Sequence, residues 1–289
     1  MPLFQKNEKS YVCKLCPHNC EIAPGGKGFC QARGVPPKAN GNDEGVISFT
    51  YCKLTSIVLD PIEKKPLYHF FPGSKILSIG SYGCNLRCPW CQNHVISMAK
   101  SSDVETHGIG LENLVTLAEK YVPSGNIGVA FTYNEPLINF EFVRDASKLL
   151  KERGFKSVLV TNGCIEPAFF NELLTTIDAM NIDLKSISHD FYYKIGGDLH
   201  TVQQNIIAAA ARCHVELSCL LINGENDSEN EMNLMTSFIA SVSPDIPLHI
   251  MRFFPRYLMK EHKPTTLESM KRFEEIAKTQ LKHVHLGNV

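Results

Sequence analysis

Apolar residues along the chain recur in two spacings. Leu111, Leu114, Val115, Ala118 and Val122 fall three or four residues apart, on one face of a helix. Phe142, Val143, Ala146, Leu149 and Leu150 do the same within a helix predicted over 139–153. Short apolar runs at 75–80, 127–132, 156–161, 178–184, 215–221, 247–253 and 281–286 read as buried strands. Further helices are predicted over 167–175, 200–212, 228–241 and 265–280. Strands alternating with helices across short connections imply parallel pairing through right-handed crossovers. About six repeats are too few for a closed eightfold barrel. The expected class is therefore α/β, an open, partial parallel (β/α)6 barrel over 71–289, preceded by a Cys-rich N-terminal module and connector over 1–70. No sequence repeat, low-complexity run or long linker breaks this pattern.

In such a barrel the carboxyl ends of all strands open on one face, where active sites are built. Unusual polar clusters lie at or just after the carboxyl ends of the first six predicted strands. They are a cysteine loop at 84–91, Thr132-Tyr133-Asn134-Glu135-Pro136, Thr161-Asn162-Gly163, Asp183-Leu184-Lys185, Asn223-Gly224-Glu225-Asn226-Asp227 and Arg252-Phe253-Phe254-Pro255-Arg256. Arg252 and Arg256 either clamp an anionic group by bidentate pairing or form surface ion pairs. Glu135 either binds a ligand or caps the helix that begins at Pro136.

Composition narrows the function. With 29 Lys plus Arg against 30 Asp plus Glu, the net charge of −1 argues against nucleic acid as a partner. At 44% hydrophobic and 20% charged residues, the composition is that of a globular protein and excludes a disordered chain. No apolar run reaches the ~18 residues of a membrane span, and the start MPLFQKNEKS is charged where a signal peptide is apolar. No membrane partner and a cytoplasmic location are expected. Eleven cysteines are then anomalous, because reducing cytosol disfavours disulfides. Cys52, Cys164, Cys213 and Cys219 are isolated and read as small buried hydrophobes. The other seven fall in two sets.

Cys84, Cys88 and Cys91 lie in the loop Gly83-Cys-Asn-Leu-Arg-Cys-Pro-Trp-Cys-Gln-Asn93. Three thiolates on one loop suit an inorganic cluster with one metal position left open, whereas closed sites take four protein ligands. A distant fourth ligand would close it, and His94 is the nearest candidate. Cys84, Cys88, Trp90 and Cys91 meet the pattern Cys-x3-Cys-x-aromatic-Cys, and here the chain resembles the radical SAM superfamily. The resemblance implies a [4Fe–4S] cluster whose fourth iron is chelated by S-adenosylmethionine. It places Trp90 near the adenine, a residue otherwise read as core. Tyr133-Asn134-Glu135-Pro136 is similar to the family's Gly-Gly-Glu-like segment, which binds the methionine amino group; the first two positions depart from Gly-Gly, so Glu135 and a backbone role carry over. Thr161-Asn162 and Asp183-x-Lys185 resemble cofactor-contacting segments of glycyl-radical-enzyme activases. Val160 stands where those activases commonly carry an Asp that helps bind a monovalent cation, although Asp183 keeps its counterpart. Lys185 is either a partner for the cofactor carboxylate or a solvated strand end.

Cys13, Cys16, Cys20 and Cys30, with Gly25, Gly26 and Gly28 between the last two, describe a knuckle around one metal, zinc or a second iron–sulfur cluster, with a structural or electron-relay role. His18 is either a substitute ligand or a surface residue. The stretch from Asp60 to Phe70 reads as a Pro-bounded connector with a solvated charge run. With the Cys-Leu-Cys-Pro-His-x-Cys start, it resembles pyruvate-formate-lyase-activating-enzyme-like proteins of the AmmeMemoRadiSam system branch over nearly the whole chain. Relatives there continue into a Cys-Pro-x-Cys tail, before which this sequence stops at Val289. The resemblance implies reductive cleavage of S-adenosylmethionine to a 5′-deoxyadenosyl radical for hydrogen abstraction. It also implies an external one-electron reductant of flavodoxin or ferredoxin type. The substrate is either a glycyl radical enzyme, another protein or a small molecule. The alternative of a different class is a non-enzymatic iron–sulfur or zinc protein.

Overall fold

Strands covered on both faces need apolar residues at nearly every position, and the central sheet is built from such runs. In the computed structural model, which describes residues 2–37 and 45–289, the sheet contains β1 (Ser56–Pro61), β2 (Lys75–Gly80), β3 (Asn126–Phe131), β4 (Lys156–Thr161), β5 (Ala179–Asp183), β6 (His214–Leu221), β7 (Leu248–Arg252) and β8 (Val284–Gly287). The eight strands lie side by side in chain order. From β2 to β8 every neighbouring pair is parallel. The edge strands β1 and β8 do not pair with each other among the described residues, so the barrel is open, as expected.

Helices α1 (Leu111–Lys120), α2 (Phe140–Glu152), α3 (Pro167–Leu173), α4 (Leu199–Ala210), α5 (Glu229–Val242) and α6 (Leu267–Lys278) fill the crossovers. Local chemistry sets several starts. Asp198, Ser228 and Thr266 accept the backbone N–H groups of Thr201, Glu231 and Ser269 and so satisfy donors the helices leave unpaired. β8 begins later than expected because Leu281 is still bonded to Ala277 at the end of α6. β3 begins one residue earlier, at Asn126. Its side chain accepts the Leu77 N–H at 2.9 Å and donates to the Ala118 carbonyl at 2.9 Å, filling an irregularity in the β2–β3 register.

β1 has no counterpart among the predicted strands. It runs antiparallel to β2, from Ser56 opposite Gly80 to Pro61 opposite Lys75. Ile57 and Val58 are exposed along this edge, so it lacks the pattern of a buried strand. After it the connector turns beneath the sheet. Tyr68 and His69 donate backbone N–H groups to the Glu216 carboxylate at 3.0 and 2.8 Å, and Asn181 donates to the Pro66 carbonyl at 2.9 Å. Glu216 lies near the start of β6, so the connector covers the amino-terminal ends of the strands.

The expectation of a solvated charge run fails there. Asp60 and Lys65 are only 5% and 3% exposed, and their side chains pair at 2.9 Å. The Tyr133 hydroxyl donates to Asp60 at 2.7 Å, and the Lys65 ammonium sits 4.7 Å from the centre of the Tyr133 ring. The turn at Ile62–Lys64 folds Lys65 back onto Asp60, and Lys64 alone of the pair keeps a largely exposed side chain. A single apolar cluster runs from Tyr11, Leu15 and Ile22 in the N-terminal segment to Val284 in β8. Cys164 and Cys219 are buried as expected. Cys52 and Cys213 are half-exposed, a correction to their reading as buried hydrophobes: Cys52 sits in a turn and Cys213 at the entrance to β6.

Candidate functional site

The chain leaves β2 at Gly80 and reaches Cys84 through Gly83, whose φ of +86° favours glycine. A Cβ at Gly83 would fall inside contact distance of the Cys30 carbonyl oxygen. The cysteine loop then closes on itself. Arg87 donates to the Cys84 and Leu86 carbonyls at 2.7 and 2.9 Å, and Leu86 N–H points at the Cys84 Sγ at 3.3 Å. Burial pushes the Cys84 thiol well above its ordinary range, and the nearby Glu135 and Cys88 charges add to the rise. Burial raises Cys88 to about 11 and also lifts Cys91. Three crowded thiols that resist ionising alone become good ligands once a cationic centre sits among them. The donor set therefore fits an iron–sulfur cluster held by three sulfurs. His94 does not join them: its Nδ1 bonds the Cys91 carbonyl at 3.1 Å and its ring stacks on Tyr257.

The neighbouring strand ends converge on this loop. From the exit of β3, Glu135 is buried and its carboxylate accepts three donors: the Leu137 N–H at 2.9 Å, the Thr161 hydroxyl at 2.6 Å and the Asn162 N–H at 2.8 Å. The Leu137 bond is a helix cap, so the capping alternative holds for this residue. Burial raises the Glu135 carboxyl to about 7 against the lowering effect of those bonds. From the end of β4, Asn162 donates to Asn85 Oδ1 at 2.9 Å and to the Cys84 Sγ at 3.8 Å. Asn134 braces the loop backbone, donating to the Tyr82 and Gly83 carbonyls at 3.2 and 3.0 Å and accepting the Ser81 N–H at 2.9 Å.

At the end of β5, the Lys185 ammonium pairs with Asp183 at 2.9 Å. Its side chain is largely buried, which removes the solvated alternative, and its charge lowers Cys88 and Cys91. Asn226 reaches across from the end of β6 to the Lys185 carbonyl at 2.8 Å. Trp90 is buried with its ring 5.5 Å from that of Phe191. Tyr133 departs from the group. With φ at +72° its side chain runs to Asp60, and only its carbonyl faces the loop, accepting from Asn93 at 2.7 Å. Arg252 spends its Nε on the Thr265 carbonyl at 2.7 Å and stacks on Phe254. Asn85, Arg87 and Asn93 organise the loop, yet no role was expected for them. Polar residues between closely spaced cysteines are the signal that marks them.

The second cysteine set gathers as well. Cys13, Cys16, Cys20 and Cys30 line one small pocket walled by Leu15, Ile22 and Ile138. His18 is no free surface residue: its ring stacks on Phe29 at 4.1 Å and its Nε2 bonds the Asn85 carbonyl at 2.8 Å.

Comparison with known proteins follows the same lines. Residues 78–234 match the family described as the Radical SAM superfamily. An uncharacterized protein of Methanocaldococcus jannaschii is 34% identical over 292 residues, spanning 99% of this chain and 84% of that one. The pyruvate formate-lyase-activating enzyme of Staphylococcus epidermidis is 26% identical over 182 residues, 59% of this chain and 71% of the relative. The crystal structure of a radical SAM methyltransferase from Sphaerobacter thermophilus superposes with a TM-score of 0.57 at 14% identity, over 98% of this chain and 75% of that one. That likeness is one of fold.

Proposed function

The chain belongs to the radical SAM superfamily, and from that premise we propose that Cys84, Cys88 and Cys91 hold the [4Fe–4S] cluster at which this enzyme cleaves S-adenosylmethionine, with a polypeptide glycine as hydrogen donor. The family's cluster and S-adenosylmethionine, when bound and given one electron by an external donor, supply methionine and a 5′-deoxyadenosyl radical that removes a hydrogen atom. The observation that carries the reading is the convergence of the Cys84, Cys88 and Cys91 thiols, Cys88 buried and the other two half-buried, with Asn162 and Glu135 from the adjoining strand ends. Asn162 holds the Cys84 sulfur from one side, and Glu135 fixes the Thr161-Asn162 turn. Glu135 Oε2 accepts the Asn162 N–H and keeps lone-pair capacity for the methionine ammonium. Lys185, kept charged and aimed by Asp183, is placed for the carboxylate. Trp90 lends an apolar wall beside Phe191 for the adenine.

A polypeptide donor is supported by the similarity to a pyruvate formate-lyase-activating enzyme. Anaerobic protein loaded with iron and sulfide, given dithionite and S-adenosylmethionine, is expected to form 5′-deoxyadenosine. Cys88→Ala is expected to abolish it. A loaded wild type that forms none and whose cluster spectrum ignores S-adenosylmethionine would overturn the reading. Deuterium passing from a glycine-labelled partner into 5′-deoxyadenosine tests the donor, and transfer from a small molecule instead would replace the polypeptide.

A further inference from the structure

We propose that the exposed segment between β7 and α6, centred on Tyr257 and Leu258, is the docking surface for an acidic protein that donates one electron to the site at Cys84, Cys88 and Cys91. The use made of that electron rests on the function proposed above; the docking surface does not.

The segment is basic in a chain whose net charge is −1: Arg252, Arg256, Lys260 and Lys263 stand against Glu261 alone. Arg256, Lys260 and Lys263 are exposed and make no ion pair among the described residues. In the following α6, by contrast, Arg272 and Lys278 spend their charges on Glu229 and Glu274. Among the free cations lie large apolar side chains that the core does not take up. Phe254 and Leu258 are 43% and 71% exposed, and Val95, across the stacked rings of His94 and Tyr257, is 67% exposed. Tyr257 takes a left-handed φ of +49°, costly for a residue with a side chain. Its ring meets that of His94 with centres 4.5 Å apart and so holds the two segments together. Single exposed hydrophobes are ordinary. Apolar anchors set among unpaired cations have instead the make-up of a binding patch, an apolar centre inside a polar rim.

The patch is fastened to the cysteine loop itself. The Leu258 N–H donates to the Pro89 carbonyl at 3.0 Å, and the His94 N–H donates to the Cys91 carbonyl at 3.3 Å. A carrier seated on the patch is therefore one hydrogen bond from the stretch that holds Cys88 and Cys91. Other flanks of the loop are occupied. His18 bonds the Asn85 carbonyl, the Arg87 guanidinium bonds the Phe29 carbonyl, and the Arg87 N–H bonds the Ile195 carbonyl. Asn162 meets the loop at Cys84 and Asn85, on the side assigned above to S-adenosylmethionine. A hydrogen donor must touch the radical formed there, whereas an electron crosses intervening residues without contact. That difference favours an electron carrier over a polypeptide substrate at the Pro89 flank, and the unpaired cations favour an acidic one. The carrier is oxidised by one electron and the cluster reduced by one; no proton or bond is exchanged.

Flavodoxin, an acidic flavoprotein, serves as the probe. Anaerobically reconstituted protein is titrated with it by calorimetry at low and high salt, and 5′-deoxyadenosine is followed with flavodoxin or dithionite as reductant. Wild type is expected to bind flavodoxin at low salt and to lose affinity as salt rises. Lys260→Glu/Lys263→Glu is expected to weaken that affinity by at least about tenfold, with the gap closing at high salt, and to slow the flavodoxin-driven reaction alike. Leu258→Glu, which spoils the apolar centre, is expected to weaken binding at both salts. Both variants are expected to match wild type with dithionite. A wild type without salt-sensitive affinity, or a Lys260→Glu/Lys263→Glu variant that binds flavodoxin as wild type does, overturns the proposal. If that variant also loses deuterium transfer from a glycine-labelled polypeptide, the patch belongs to the substrate instead. A wild type whose salt-sensitive binding runs through these lysines but that forms no 5′-deoxyadenosine even with dithionite defeats the proposed function and leaves the docking surface standing.

Discussion

Gly83 concentrates several demands in one residue. Its φ of +86° is costly for any side chain, and the Cys30 carbonyl occupies the place of a Cβ. Backbone on both sides leaves little to give, so Gly83→Ala is expected to lower stability by about 1–3 kcal/mol. Urea unfolding measures this directly, and an unchanged midpoint would show that the cysteine loop is free to move away from Cys30. At this scale the sequence was most readable where chemistry is written as spacing. Cys84, Cys88 and Cys91 lie together, and Glu135 meets Thr161 and Asn162. Tyr133 and Asn134 were less readable. A left-handed φ at a tyrosine is set by the surroundings, and it turns the ring toward Asp60 while Asn134 braces the loop.

Among the elements, the connector between β1 and β2 departs furthest from expectation. A run of charges looks solvated until the turn at Ile62–Lys64 brings Lys65 onto Asp60 under the Tyr133 ring. Removing one partner of a buried pair strands the other charge, a loss of about 3–5 kcal/mol, whereas removing both is far milder. Lys65→Met is therefore expected to destabilise strongly and Asp60→Asn/Lys65→Met much less, as read from a double-mutant cycle in urea. Additive losses would mean that the pair does not act as a unit. Against the raising effect of burial, the Tyr133 hydroxyl and then Lys65 hold Asp60 down at about 2. Helices and parallel strands were legible because their apolar periods are long and their caps local. β1 was not, because an antiparallel edge strand is defined by its partner and shows Ile57 and Val58 to solvent.

Across the whole molecule, one polar network joins the connector to the strands at the end opposite the cysteine loop. Glu216 is fully buried and accepts from Tyr68 and His69 of the connector, His214 of β6 at 2.9 Å and His249 of β7 at 2.7 Å. His285 of β8 stacks on His249 and meets His69 at 2.8 Å, with His283 beside His69. The hydrogen bonds hold Glu216 well below its ordinary range, and burial holds His69 and His285 below theirs. All three shifts have one sign. At these three groups the folded chain binds fewer protons than the unfolded one, so their contribution to stability is full above about pH 6.5 and falls as acid protonates the unfolded histidines, while Glu135, raised to about 7, works the other way in the same range. A second decline begins below about pH 4.5, where unfolded glutamate takes its proton before buried Glu216 does. Urea unfolding across this range is expected to show the second decline. Glu216→Gln is expected to shrink the lower one, leaving the share due to Asp60, and to start from a less stable protein, since the amide offers donors where four donors already point. A lower decline of unchanged size in Glu216→Gln would place the acid sensitivity elsewhere, with Asp60 the first residue to examine. The histidines were visible only as separate letters. Their meeting depends on how β6, β7 and β8 start beside one another and on where the connector crosses them, and both are properties of the finished sheet.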